Sequence, residues 1–107
     1  MRLPELTYLV RIHPTRANFV STTTPVEAEV MRAHFSYWKG RMEQRRLILA
    51  GPVPIEPGTF GILIVRANGV EEAEELLKGD PAVSSGTMAF EIYPLRLALY
   101  EAGQYDA

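Results

Sequence analysis

The segment TFGILIVRANGVEEAEELLKGDP, residues 59–81, decides the fold. Thr59 to Ala67 is rich in β-branched and aromatic residues and reads as a strand, with Phe60, Ile62 and Ile64 on one face and Leu63 and Val65 on the other. Asn68 then stands as a helix cap, Glu71 holds the capping-box position, and Val70, Ala73 and Leu77 fall on one helical face. The helix stops at Gly79, ahead of Asp80-Pro81.

The same strand-then-helix order recurs upstream. Leu6 to Ile12 alternates, with Leu6, Tyr8, Val10 and Ile12 on one side, which makes it a strand. Pro14 to Thr23 shows no periodicity and is expected to be a long loop. Thr24-Pro25-Val26-Glu27 combines a hydroxyl cap, a proline at the first helical position and a capping-box glutamate, so a helix begins there and can run to about Arg46. Gly40 inside it is a weak point or a place of close backbone approach. Leu47 to Gly51 is a short strand, followed by turns at Gly51-Pro52, Pro54 and Pro57-Gly58. Met88 to Leu97 is the last strand, and its Pro94 suits a sheet edge. The order is βαββαβ in a single α+β domain over 1–107, with a core from about 6 to 97 and a C-terminal extension over 98–107. The ferredoxin-like sandwich, two helices on one face of a four-stranded antiparallel sheet with strands 1 and 3 central, is the commonest fold of this order. Strand 3 is apolar on both faces, and two helices cover only one. A second copy of the sheet is the simplest cover for the other, so a homodimer is expected; a folded-back C-terminal tail is the alternative.

Composition narrows the function. An apolar share of 47% suits an ordered globular chain. A net charge of −2, from 11 basic and 13 acidic residues, gives no general attraction for nucleic acid, and Arg41, Arg45 and Arg46 form the only basic cluster. With no cysteine, disulfides, thiolate metal sites and cysteine nucleophiles are excluded. No apolar run approaches the roughly 20 residues of a membrane span, so no membrane partner is expected and the cytoplasm is the expected location. No phosphate loop, serine elbow or zinc-ligand spacing occurs; neither cofactor nor metal is expected.

The first helix places Val26, Val30, Met31, Ala33, Phe35, Tyr37, Trp38 and Met42 in one broad arc, with His34 near its middle. Glu27, Arg41 and Arg45 lie close to the same line, so a polar seam runs along an apolar face. Both helices are expected to leave the sheet at the same end, after parallel central strands, so His34 and Asp80 reach nearly the same height and can touch across packed helices. A carboxylate on one imidazole nitrogen leaves the other free for proton transfer. From pattern alone the commoner reading is structural: the pair ties the helices together, or Asp80 merely caps the turn before Pro81. Arg11, Arg41 or Arg45 could neutralise a substrate carboxylate. Tyr37 and Trp38 flank His34, and Gly51-Pro52 could shape a pocket rim. His13, at the end of strand 1, reads as exposed, and the Glu71 to Glu75 cluster favours the helix dipole rather than a metal.

His34-Phe35-Ser36-Tyr37-Trp38, Leu49-Ala50-Gly51-Pro52-Val53, the Gly61-containing strand, Glu72-Ala73, Asp80-Pro81-Ala82 and Gly86 together resemble the YciI-like, or YCII-related, family. The resemblance spans about Tyr8 to Leu95. It implies a ferredoxin-like domain pairing into a dimeric α/β barrel, with a His and Asp pair, here His34 and Asp80, at the active site. The family is similar to muconolactone isomerases and includes dehalogenase-like members. The expectation is therefore a cofactor-free enzyme acting on a small organic acid or lactone, or else a homodimeric small-ligand or stress-related module without turnover.

Overall fold

In the computed structural model, which describes residues 6–99, four strands form one antiparallel sheet ordered β2-β3-β1-β4. They are β1 (Leu6–Pro14), β2 (Leu47–Val53), β3 (Phe60–Ala67) and β4 (Met88–Leu95). The helices are α1 (Pro25–Glu43), α2 (Val70–Lys78) and α3 (Pro81–Ser84). This is the ferredoxin-like arrangement, with β1 and β3 in the centre. Of the strand prolines, Pro14 ends β1, and Pro52 and Pro94 sit on the edge strands β2 and β4, where a missing N–H disturbs the ladder least. The extension expected over 98–107 falls outside the described residues from position 100 on. Among the described residues no helix is long and apolar enough to cross a membrane.

One face of the sheet carries the core. Tyr8, Val10 and Ile12 of β1, Leu63, Val65 and Ala67 of β3 and Met88 of β4 pack beneath Trp38 of α1, Ala73, Leu76 and Leu77 of α2 and Ala82 of α3. Leu63 and Val65 thus face the helices, while Phe60, Ile62 and Ile64 line the open face. Gly61 packs closely on β1: a Cβ there would lie 3.0 Å from Ile12 Cγ2, which would have to shift by a few tenths of an ångström.

Several local expectations are corrected. The central strands are antiparallel, so α1 and α2 leave the sheet at opposite ends and run toward each other. α2 is capped at Gly69 without a side-chain bond. Glu72, not Glu71, reaches back to the Asn68 N–H at 3.1 Å while it also accepts from Arg46 at 2.8 Å. α1 ends at Glu43 because Arg45 takes a left-handed φ of 64°, and the Arg46 N–H closes on the Arg41 carbonyl at 2.9 Å. Gly40 has open space around it and marks no close approach. Of the apolar arc on α1 only Trp38 is buried; Val26, Phe35 and Met42 are exposed. The wheel overstated the contact because α1 meets the rest of the fold along a narrower stripe.

The start of α1 follows the sequence closely. Thr24 Oγ1 accepts from the Glu27 N–H at 3.1 Å, and the Glu27 carboxylate accepts from the Thr24 N–H at 2.9 Å. Arg16 donates to both Glu27 oxygens at 2.9 and 2.7 Å and also reaches Thr22, which stitches the long loop and its single 3-10 turn (Val20–Thr22) to the helix. The Arg16 bonds, with help from the Thr24 backbone, hold the Glu27 carboxyl down at about 2. A carboxyl lowered on folding contributes stability that is full above about pH 4.5 and is lost as the pH falls through about 2. Denaturant titrations should therefore find Glu27→Gln less stable than wild type at pH 6, with the difference disappearing by about pH 2.

Candidate active site

Asp80 is the fully buried carboxylate in the core. The proline that follows holds it in an extended conformation, φ −72° and ψ 124°, so that it caps α3 through Oδ1, which accepts from the Ala82 N–H at 2.8 Å. Oδ2 accepts from Trp38 Nε1 at 2.7 Å and from His34 Nδ1 at 2.7 Å. A carboxylate only accepts, so Nδ1 carries a proton toward Asp80 and Nε2 is left with its lone pair in the neutral ring. Nε2 makes no hydrogen bond among the described residues and is not a buried unsatisfied atom, so it opens to the surface; the His34 side chain is 17% exposed.

The predicted contact between His34 and Asp80 is present, reached by helices that approach from opposite ends. α1 carries His34 down from the end of β1, and α2 carries Asp80 up from the end of β3. Trp38, one turn past His34, is a second donor to Asp80 and not only a core side chain. Tyr37 packs edge-on against Trp38, with ring centroids 5.0 Å apart, and its hydroxyl donates to the Leu76 carbonyl. Gly79 serves this contact. Its φ of −76° suits any residue, but a Cβ there would lie 2.7 Å from the Tyr37 hydroxyl. Arg41 stacks at 4.5 Å over the Tyr37 ring, and its Nε is buried without a hydrogen-bond partner among the described residues.

The other predicted residues stand apart. Arg11 lies on the open face of the sheet, because it alternates with the buried Val10 and Ile12. Gly51 and Pro52 are exposed on edge strand β2, opposite Ile62 and Gly61. His13 is not simply exposed: its Nε2 meets Glu91 Oε2 at 2.8 Å, a pairing across β1 and β4 that residue spacing could not show. Among the described residues no three His, Asp or Glu side chains converge as a metal site.

With three donors on one buried carboxylate, losing one strips solvation that water cannot replace. Trp38→Phe keeps the ring but removes the indole N–H, and should lower the unfolding free energy by about 1 to 3 kcal/mol in urea titrations. A change within error would remove the indole bond from the account of the site.

The sequence matches the model of the YCII-related domain over residues 7–96. No curated protein matches it. Among solved structures the fold is similar to 5-chloro-2-hydroxyhydroquinone dehydrochlorinase from Burkholderia phenoliruptrix AC1100 in complex with 2,5-dihydroxybenzoquinone, with a TM-score of 0.60 and 16% identity over 94% of this chain and 99% of that one. That likeness is one of fold. With the family match running from the first strand through the last, the chain belongs to the YCII-related family.

Proposed function

We propose that the protein is a cytoplasmic, cofactor-free enzyme that moves a proton on a small organic acid or lactone, with His34 as the base and acid and Asp80 as its orienter. The observation that carries this is the His34 ring, held at Nδ1 by a buried carboxylate with Nε2 unclaimed. In that geometry Nε2 takes a proton from substrate, and Asp80 stabilises the imidazolium without being protonated itself. Arg41, two turns along α1 on the same face and stacked over the Tyr37 ring, is the cation placed to meet a substrate carboxylate through its terminal guanidinium nitrogens. The structural neighbour, a 5-chloro-2-hydroxyhydroquinone dehydrochlorinase, supports an enzyme-like role in general.

A second reading is favoured by a different observation. Asp80 is fully satisfied by His34, Trp38 and Ala82, and His34 lines neither of the two described cavities. On that reading the pair locks the helices of a small-ligand or stress-related module, with no turnover. A screen of lactones, organic acids and chlorinated hydroxyquinones decides: turnover that His34→Ala abolishes while the circular dichroism spectrum is kept supports the enzyme, and full activity in that variant removes His34 from the mechanism.

The assembly belongs to the same proposal. The open face presents Leu9, Phe60, Ile62 and Ile64, with Leu49 and Tyr93 beside them about half exposed. At about 25 cal/mol per Å² of apolar area, a second copy laid on this face recovers burial that the helices do not supply. Light scattering should give twice the chain mass at micromolar concentration. Ile62→Asp should reduce it to one chain, whereas a stable wild-type monomer would sink the barrel.

A further inference from the structure

The chain has two histidines, and both are bonded to carboxylates: His34 to Asp80 in the helix layer and His13 to Glu91 on the open face of the sheet. His13 of the second pair lines a cavity of about 360 Å³, bounded by the loop after β1 and the turn between β2 and β3. Arg11 and His13 line it, two residues and therefore about 7 Å apart on one face of β1. Phe19, Val20 and Pro57 supply an apolar wall. The wall is held in place: Asn18 takes a left-handed φ of 59° and its carbonyl accepts from the Thr22 N–H at 3.1 Å, while Arg16 ties the same loop to Glu27.

We propose that this cavity is a binding site for a small planar organic carboxylate, seated on the Arg11 guanidinium with its hydrocarbon part against the apolar wall. Arg11 is placed for that role. It spends one nitrogen on a long, single contact of 3.2 Å to Glu91, and Nε and the other terminal nitrogen make no hydrogen bond among the described residues. Its guanidinium lies 4.6 Å over the Phe60 ring, which holds the plane and leaves the in-plane donors open for a bidentate carboxylate. Glu91 does not close the site, because its shorter bond is to His13, and that bond is the main reason its carboxyl is held below the usual carboxylate range. His13, kept in position by Glu91, stands along the cavity as the one imidazole beside the bound acid. The volume suits a single ring bearing a carboxylate. The site owes nothing to His34, so it is tested separately from the proton-transfer chemistry above, while Phe60 beneath Arg11 also belongs to the face that a second copy would cover.

The test uses the full chain, with benzoate as the probe and benzamide as its neutral counterpart, followed by amide chemical shifts in ¹H–¹⁵N spectra. Benzoate should give saturable shifts confined to residues 11–21 and 56–59, and benzamide should give none. Arg11→Gln should weaken binding at least ten-fold while its spectrum stays as dispersed as wild type, and Arg11→Lys should recover only part of it, because a lysine cannot pair both oxygens in one plane. Shifts centred on His34 and Asp80, equal shifts with benzamide, or an Arg11→Gln affinity within two-fold of wild type would overturn the proposal.

Discussion

The buried carboxylate of Asp80 is the constraint on which the helix layer depends. Desolvating a carboxylate costs several kcal/mol or more unless donors replace the water it loses, and three do: an imidazole from α1, an indole one turn further along α1, and the backbone N–H that opens α3. Because the donors come from two elements, satisfying the charge also sets how those elements sit. α1 cannot rotate without losing both His34 and Trp38, and α3 cannot form elsewhere, since its cap is the same side chain. The Tyr37 hydroxyl on the Leu76 carbonyl, admitted by the missing Cβ of Gly79, adds a second fastening beside the first.

One consequence is chemical. A group recruited to neutralise a buried charge is itself oriented by it, so a single interaction both stabilises the layer and presents Nε2 of His34 to the surface. Structural and catalytic readings of the pair are therefore not exclusive at the level of geometry. They part only at whether a substrate reaches Nε2, which is why the reading of His34 as a base rests on turnover rather than on the hydrogen bond.

The sheet divides the molecule into two chemical faces. Among the described residues Asp80 is the one fully buried charged residue beneath the helices, whereas the open face mixes Leu9, Ile62 and Ile64 with the Arg11, His13 and Glu91 cluster near one end. Strand alternation does this with no added device: moving one residue along β1 exchanges Ile12 in the core for His13 at a cavity. Arg16 belongs to the same end, where its bidentate bond to Glu27 turns a long polar loop into a fixed wall.

Local signals in the chain determined its elements. The alternation of Leu6 to Ile12, the capping box at Thr24 and Glu27, and the proline after Asp80 each act within a few residues, where steric and hydrogen-bonding preferences are strong, and the strands, the start of α1 and the turn at Asp80 follow from them. The order of those elements was enough for the ferredoxin-like topology, and the ordered His34 and Asp80 motifs were enough to name the pair. Tertiary structure alone decided the rest. Only packing showed that α1 and α2 meet from opposite ends, that Trp38 shares Asp80 with His34, that Leu63 and Val65 lie under the helices rather than on the open face, and that His13 meets a glutamate 78 residues away. These are contacts between segments remote in sequence, and the partner of a buried polar group is set by the direction and register of whole elements, which no local preference encodes.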